Sequence, residues 1–95
     1  MVDDEHGRPM TYGETAVGLT FNPSNDATVE KLKRLFAEII DICRAGYVVL
    51  PENQWSKVDQ ICEGVSGEKI RLYKIAITEA QTAQMWAVKA VTWKD

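Results

Sequence analysis

Histidine is nearly missing from this chain: His6 is the single one among 95 residues. Metal chemistry needs several converging His, Cys or carboxylate ligands, and nucleophilic catalysis needs a base beside its nucleophile. A lone histidine near the N-terminus reads as a solvated side chain, so neither a metal site nor a catalytic residue is predicted, and no cofactor is implied. Cysteine is scarce too. Cys43 and Cys62 lack a CxxC arrangement and fall at apolar positions of their segments, which suits small core residues. No apolar run approaches the ~20 residues that a membrane-spanning helix needs. The opening MVDDEHGRP is acidic and polar, without the apolar stretch of a secretory signal, so the expectation is a reducing, cytoplasmic setting. Positive charge is also in short supply. Eleven Lys and Arg stand against 14 Asp and Glu, a net charge of −3, which argues against a duplex nucleic-acid face and leaves room for a small anion held by two or three local cations.

What is present describes one ordinary globular domain over residues 1–95. Hydrophobic residues at 45% and charged residues at 26% are enough to build a core and to keep it dispersed in water. A chain of this length buries only roughly 60–68% of the surface its unfolded form exposes, so self-association is a natural way to add apolar burial.

Residues 1–11 lack periodicity and contain Gly7 and Pro9, and read as a flexible arm. Residues 12–21, YGETAVGLTF, have room for a short helix that Gly13 and Gly18 keep from growing. The turn formers Asn22, Pro23, Ser24, Asn25 and Asp26 follow, and Asn25 or Asp26 is placed to cap a helix starting near Ala27. Val29, Leu32, Leu35, Phe36, Ile39, Ile42 and Cys43 recur at helical spacing and predict an amphipathic helix that stops at Gly46. Residues 46–68 form an extended connection: a short β-branched run, YVVL, then Pro51, then a brief helix over residues 53–63 with Trp55, Val58, Ile61 and Cys62 inward. A long helix without Gly or Pro is predicted over residues 68–93.

The last helix has two apolar rows rather than one. Tyr73, Ala76, Ile77, Ala80, Ala83, Ala87, Val88 and Val91 make the first; Leu72, Ile75, Trp86, Ala90 and Trp93 make the second. The preceding helix covers only one row, so the reading is an all-α fold, a short N-terminal helix plus an antiparallel helical hairpin, that is homo-oligomeric through the other.

Two constellations stand out. Phe21, Asn22, Pro23 and Ser24 lie before a helix N-terminus, within two turns of Lys31 and Lys33. A stacking ring, a polar edge and a cation suit a nucleotide, while the same residues also read as a plain capped turn with Phe21 in the core. On the last helix, Thr78, Gln81, Thr82 and Gln84 interrupt an apolar surface and Arg71, Lys74 and Lys89 supply cations, which equally describes a solvent face beside an interface. Glu30, Glu38 and Asp41 share a helix with Lys31, Lys33 and Arg34 and read as a solvated, internally paired surface.

Taken together, YGETAVGLTFNPSND, the amphipathic helix after it, and RLYKIAITEAQTAQMWAVKAVTW resemble the small phage proteins that sequester cyclic oligonucleotide signals and block CBASS immunity, whose hairpin domain is shared with the larger Thoeris anti-defence sponges. The resemblance covers residues 12–44 and 71–93. It implies a homohexamer in the host bacterial cytoplasm with two kinds of pocket between subunits, one for cyclic dinucleotides such as 3′,3′-cyclic GMP–AMP and one for cyclic trinucleotides, bound without cleavage. For the dinucleotide pocket it implies an aromatic on a base, Tyr12 or Phe21, a lysine on the phosphates, Lys33 or Lys31, and a wall shaped by Asn22, Pro23 and Ser24. For the trinucleotide pocket it implies Arg71, with Thr78 further along the same helix. Residues 46–68 depart from the shorter hairpin tip expected of such proteins. Two readings from other classes compete: a helical adaptor that docks its surplus apolar face on a protein partner, and a small hydrolase, for which the chain offers no acid–base pair.

Overall fold

The computed structural model describes residues 9–49 and 60–95. Among them, the elements run α1 (Tyr12–Ala16), α2 (Ala27–Ala45), β1 (Val48–Val49), β2 (Gln60–Ile61) and α3 (Gly67–Val91). The architecture is mostly helical with a small two-stranded sheet, which corrects the all-α expectation. His6, Trp55 and Val58 lie outside the described residues, as does most of the brief helix expected over residues 53–63. Its described part is different: Gln60 and Ile61 pair antiparallel with Val49 and Val48, in the register Val48↔Ile61 and Val49↔Gln60. β-branched Val48, Val49 and Ile61 favour extended backbone.

Each helix starts where its side chains satisfy free backbone N–H groups. Thr11 and Glu14 form a reciprocal capping box, the Glu14 N–H donating to Thr11 Oγ1 at 3.1 Å and the Thr11 N–H to Glu14 Oε1 at 2.9 Å. Asp26 accepts from the Thr28 N–H at 2.7 Å, and Ser66 from the Lys69 N–H at 3.2 Å. α1 ends in a Schellman arrangement, with Leu19 N–H donating to the Glu14 carbonyl, Gly18 N–H to the Thr15 carbonyl, and Gly18 at φ +64°. Of the arm expected over residues 1–11, Met10 is buried in the core and Thr11 is a cap, while residues 1–8 lie outside the described residues.

Gly46 ends α2 as predicted, for an unpredicted reason. Its φ is −70°, an ordinary helical value, so conformational freedom is not what it supplies. A Cβ there would overlap the ring of Tyr73. Tyr73 packs against the α2 end and stacks with Tyr47, ring centroids 6.0 Å apart. At the other end of the pair, Val29 of α2 shares a cleft with Val88 and Thr92 of α3. With the end of one helix beside the start of the other at both places, α2 and α3 are antiparallel.

The core is built from Met10, Val17, Leu19, Ala37, Ile40, Tyr47, Val48 and Ile77. On α2 the buried line is Val29, Lys33, Ala37 and Ile40, whereas Leu35, Ile39 and Ile42 are exposed. The inward face thus lies to one side of the apolar stripe that the spacing predicts. On α3, Ile77 and Gln84 are buried and Tyr73, Ala80, Ala87 and Val88 half-buried, while Leu72, Ile75, Trp86 and Trp93 remain exposed. Both long helices therefore keep an uncovered apolar row within one chain.

α1 sits on α2 through Gly13, whose N–H donates to Asp41 Oδ1 at 2.7 Å. A Cβ at Gly13 would overlap the Ala37 carbonyl and the Asp41 carboxyl. Alanine normally favours a helix over glycine by about 1 kcal/mol, yet here overpacking of about 1–3 kcal/mol opposes it. Gly13→Ala is expected to lower the urea midpoint of unfolding; a raised midpoint would show that α1 is not seated this closely.

Candidate functional site

The loop between α1 and α2 is a chain of local hydrogen bonds. After Gly18, the Phe21 N–H donates to the Gly18 carbonyl at 2.9 Å, closing a turn over residues 18–21. A second turn follows: Asn25 N–H donates to the Asn22 carbonyl at 3.0 Å, with Pro23 inside it and Asn25 at φ +54°, a conformation asparagine tolerates better than most residues. Asn22 holds both sides of this loop, accepting from Ser24 Oγ at 2.7 Å and donating from Nδ2 to the Asp26 carbonyl at 3.1 Å.

These turns form one wall of a cleft of about 210 Å³, lined by Phe21, Asn22, Pro23 and Ser24, by Val29 and Lys33 of α2, and by Val88 and Thr92 of α3. Phe21 is 71% exposed, so it is not plugged into the core. Lys33 is buried, and its ammonium donates to the Gly18 carbonyl at 3.0 Å and also to the Phe21 carbonyl. The same Nζ lies 5.6 Å from the centre of the Phe21 ring. Burial pulls the Lys33 pKa below the usual lysine value.

Of the residues expected at a dinucleotide pocket, Phe21, Asn22, Pro23, Ser24 and Lys33 line this cleft, and Tyr12 and Lys31 do not. Tyr12 is on α1 with the Arg44 guanidinium 4.4 Å over its ring, and Lys31 is an exposed residue of α2. At the start of α2, Asp26 rather than Asn25 is the cap. The Asp26 carboxylate occupies the Thr28 N–H, so the helix end carries its own anion. Sequence reasoning missed Thr92 and took Val88 for packing alone. Neither carries a local signal, because only the register between α2 and α3 brings them to the loop.

Arg71 and Thr78 lie elsewhere. Both are exposed on α3, seven residues apart and hence nearly on one face about 10 Å along the axis. The Arg71 guanidinium is engaged by Glu68, with Nη2–Oε1 at 2.6 Å and Nε–Oε2 at 3.1 Å, while the Thr78 hydroxyl donates to the Lys74 carbonyl at 3.1 Å. Arg71 holds the Glu68 carboxyl below the usual glutamate pKa, and Glu68 raises that of Arg71. A shallower hollow of about 330 Å³, lined by residues that include Glu14, Arg34, Glu38 and Asp41, runs along α1 and α2. Among the described residues no His, Cys and carboxylate side chains gather as a metal site would require, and no helix is long and apolar enough to cross a membrane.

The family model for the Acb2/Tad1 hairpin domain matches residues 14–92, from α1 through the end of α3. The chain therefore belongs to the Acb2/Tad1 hairpin family, the anti-CBASS and Thoeris sponge family that its two motif stretches resemble. No curated protein and no solved structure matches it.

Two outcomes follow from the site geometry. Asp26→Ala removes the α2 cap and is expected to cost about 1 kcal/mol of stability, read from chemical unfolding. For Glu68, a depressed folded pKa means that its contribution to stability is present above the unfolded glutamate pKa and fades as pH falls through the folded one. Its side-chain carboxyl, followed by NMR, should titrate below an ordinary glutamate, and Arg71→Ala should return it to the ordinary range; an unmoved midpoint would mean that the pair does not persist in solution.

Proposed function

We propose that this member of the Acb2/Tad1 hairpin family sequesters cyclic oligonucleotide second messengers without cleaving them, and so blocks CBASS immunity in the cytoplasm of an infected bacterium. The observation that carries the reading is the cleft at the foot of the hairpin, where an exposed Phe21 ring, the Lys33 ammonium and the Asn22–Pro23–Ser24 wall meet. An aromatic face stacks on a base, and a cation set among apolar Val29 and Val88 is electrostatically stronger than one in water. At about 210 Å³ the cleft of one chain is smaller than the roughly 300–1,000 Å³ of ordinary ligand pockets. A cyclic dinucleotide needs a second wall, and another copy of the chain supplies it. The uncovered rows Leu35, Ile39 and Ile42 on α2, and Leu72, Ile75, Trp86 and Trp93 on α3, favour such assembly, for which we propose a homohexamer.

Arg71 and Thr78 serve the second ligand class, cyclic trinucleotides, on a separate stretch of α3. Arg71 is already paired with Glu68, so a phosphate there has to displace a carboxylate. The competing reading, a helical adaptor, draws on the same uncovered apolar rows and assigns no role to the cleft.

Calorimetric titration with 3′,3′-cyclic GMP–AMP and with cyclic tri-AMP, beside light scattering for assembly size, separates these readings. Tight binding, with the unmodified nucleotide recovered after heat denaturation, is expected. Linear product would indicate cleavage, and silence from both ligands would favour the adaptor. Phe21→Ala should weaken the dinucleotide by about 1–3 kcal/mol, the worth of one stacked base. Arg71→Ala should weaken the trinucleotide by about 1.5–3 kcal/mol per lost charge-assisted bond while sparing the dinucleotide. Glu68→Gln, which releases Arg71, should strengthen trinucleotide binding; an equal effect on both ligands would refute two separate pockets.

A further inference from the structure

An ammonium group withdrawn from water is costly unless acceptors replace its hydration, and the acceptors that Lys33 uses are informative. Both are backbone carbonyls at the two ends of one turn, Gly18 and Phe21. The Gly18 carbonyl also receives the Phe21 N–H, so the turn is closed once by its own backbone and once by a side chain arriving from α2. Phe21, 71% exposed, has little burial of its own to fix where its ring stands. Gly18 is in turn fixed by the Schellman end of α1, at φ +64°. One ammonium thus ties together the end of α1, the backbone beneath the aromatic ring, and α2.

We infer that Lys33 is a positioning residue: by clamping the Gly18 and Phe21 carbonyls it sets the Phe21 ring over the cleft before any ligand arrives. This deepens the sponge reading and rests on it, since a pre-set ring matters for affinity only where a base stacks. The role differs from a phosphate contact, which is made only when ligand is present. Two of the three ammonium donors are committed to the loop, leaving one for the cleft. Burial, which pulls the Lys33 pKa down, makes the clamp visible in a titration.

The experiment compares the parent protein with Lys33→Met and Lys33→Arg by carbon-detected NMR without ligand, then by calorimetry with 3′,3′-cyclic GMP–AMP. In Lys33→Met the carbonyl carbons of Gly18 and Phe21 should shift and the Phe21 amide should exchange at least about tenfold faster, a loss of roughly 1.4 kcal/mol of local protection. Ile40 and Ile77 amides should stay protected, and Lys33→Arg should restore part of the change. If Lys33→Met does not fold, the parent decides alone: the two carbonyl carbons should titrate with Lys33 Cε at one midpoint below that of free lysine, and carbonyls silent through that titration would overturn the inference. It is equally overturned if Lys33→Met loses affinity while its ligand-free loop matches the parent, because the lysine then acts on the ligand directly. A parent that shows the clamp but takes up no cyclic GMP–AMP would sink the sponge reading and leave the clamp standing.

Discussion

A charge buried in a chain this small has to be satisfied by whatever lies within reach, and Lys33 is satisfied by the loop it sits beneath. Much of the arrangement follows from that demand. The turn over residues 18–21 must present its carbonyls inward, which places Phe21 outward and brings Asn22, Pro23 and Ser24 along the rim of the cleft. Val29, one turn earlier on α2, and Val88 and Thr92 across the hairpin complete a largely apolar surround for the ammonium. The loop and the helix pair are thus two halves of one device, joined by a side chain that belongs to the core by burial and to the surface by chemistry.

The helix pair meets a different constraint. α2 and α3 each have more apolar surface than a two-helix contact consumes. Ala37 and Gly13 bring α1 close to α2, and Gly46 lets the Tyr73 ring lie against the helix end. These close approaches confine the interior to a narrow line, Val29, Lys33, Ala37 and Ile40, and leave Leu35, Ile39 and Ile42 outside it. Among the described residues, several large apolar side chains, Trp86 and Trp93 among them, stay at the surface.

Much of this was legible in the sequence, and the failures have identifiable causes. Asp26 and the run after Gly67 marked the starts of the two long helices because caps act locally, whereas Gly46 marked the end of α2 correctly although its reason, room for the Tyr73 ring, is tertiary. The rows of α3 were legible only in part: Tyr73, Ile77, Ala80, Ala87 and Val88 face inward, but Ala76, Ala83 and Val91 of the same row are exposed and the inward face passes through Gln84, a polar residue that periodicity assigns elsewhere. The inward face of α2 was not legible, since its buried line passes through a lysine, and a periodicity search assigns lysine to solvent. The strand at Gln60 and Ile61 was read as helix because its partners, Val49 and Val48, lie beyond Pro51 on the far side of the connection, and a two-residue pairing leaves almost no pattern. Tyr12, Phe21, Lys31 and Lys33 could be named as candidates from their proximity to the loop, but that Phe21 and Lys33 line the cleft while Tyr12 and Lys31 do not depends on the register of α2 against the turn.

Two features described above, the Asp26 carboxylate on the first turn of α2 and Glu68 on Arg71, have a joint consequence. Each places a carboxylate of the chain itself on a positive group that would otherwise attract an anion. A free inorganic ion gains little by displacing a carboxylate that is tethered one turn away, because the exchange trades one anion for another and surrenders freedom of movement. A cyclic ligand that also offers bases to stack gains more than it gives up. Under the proposed function, built-in competition of this kind would favour a larger, aromatic ligand over small free anions.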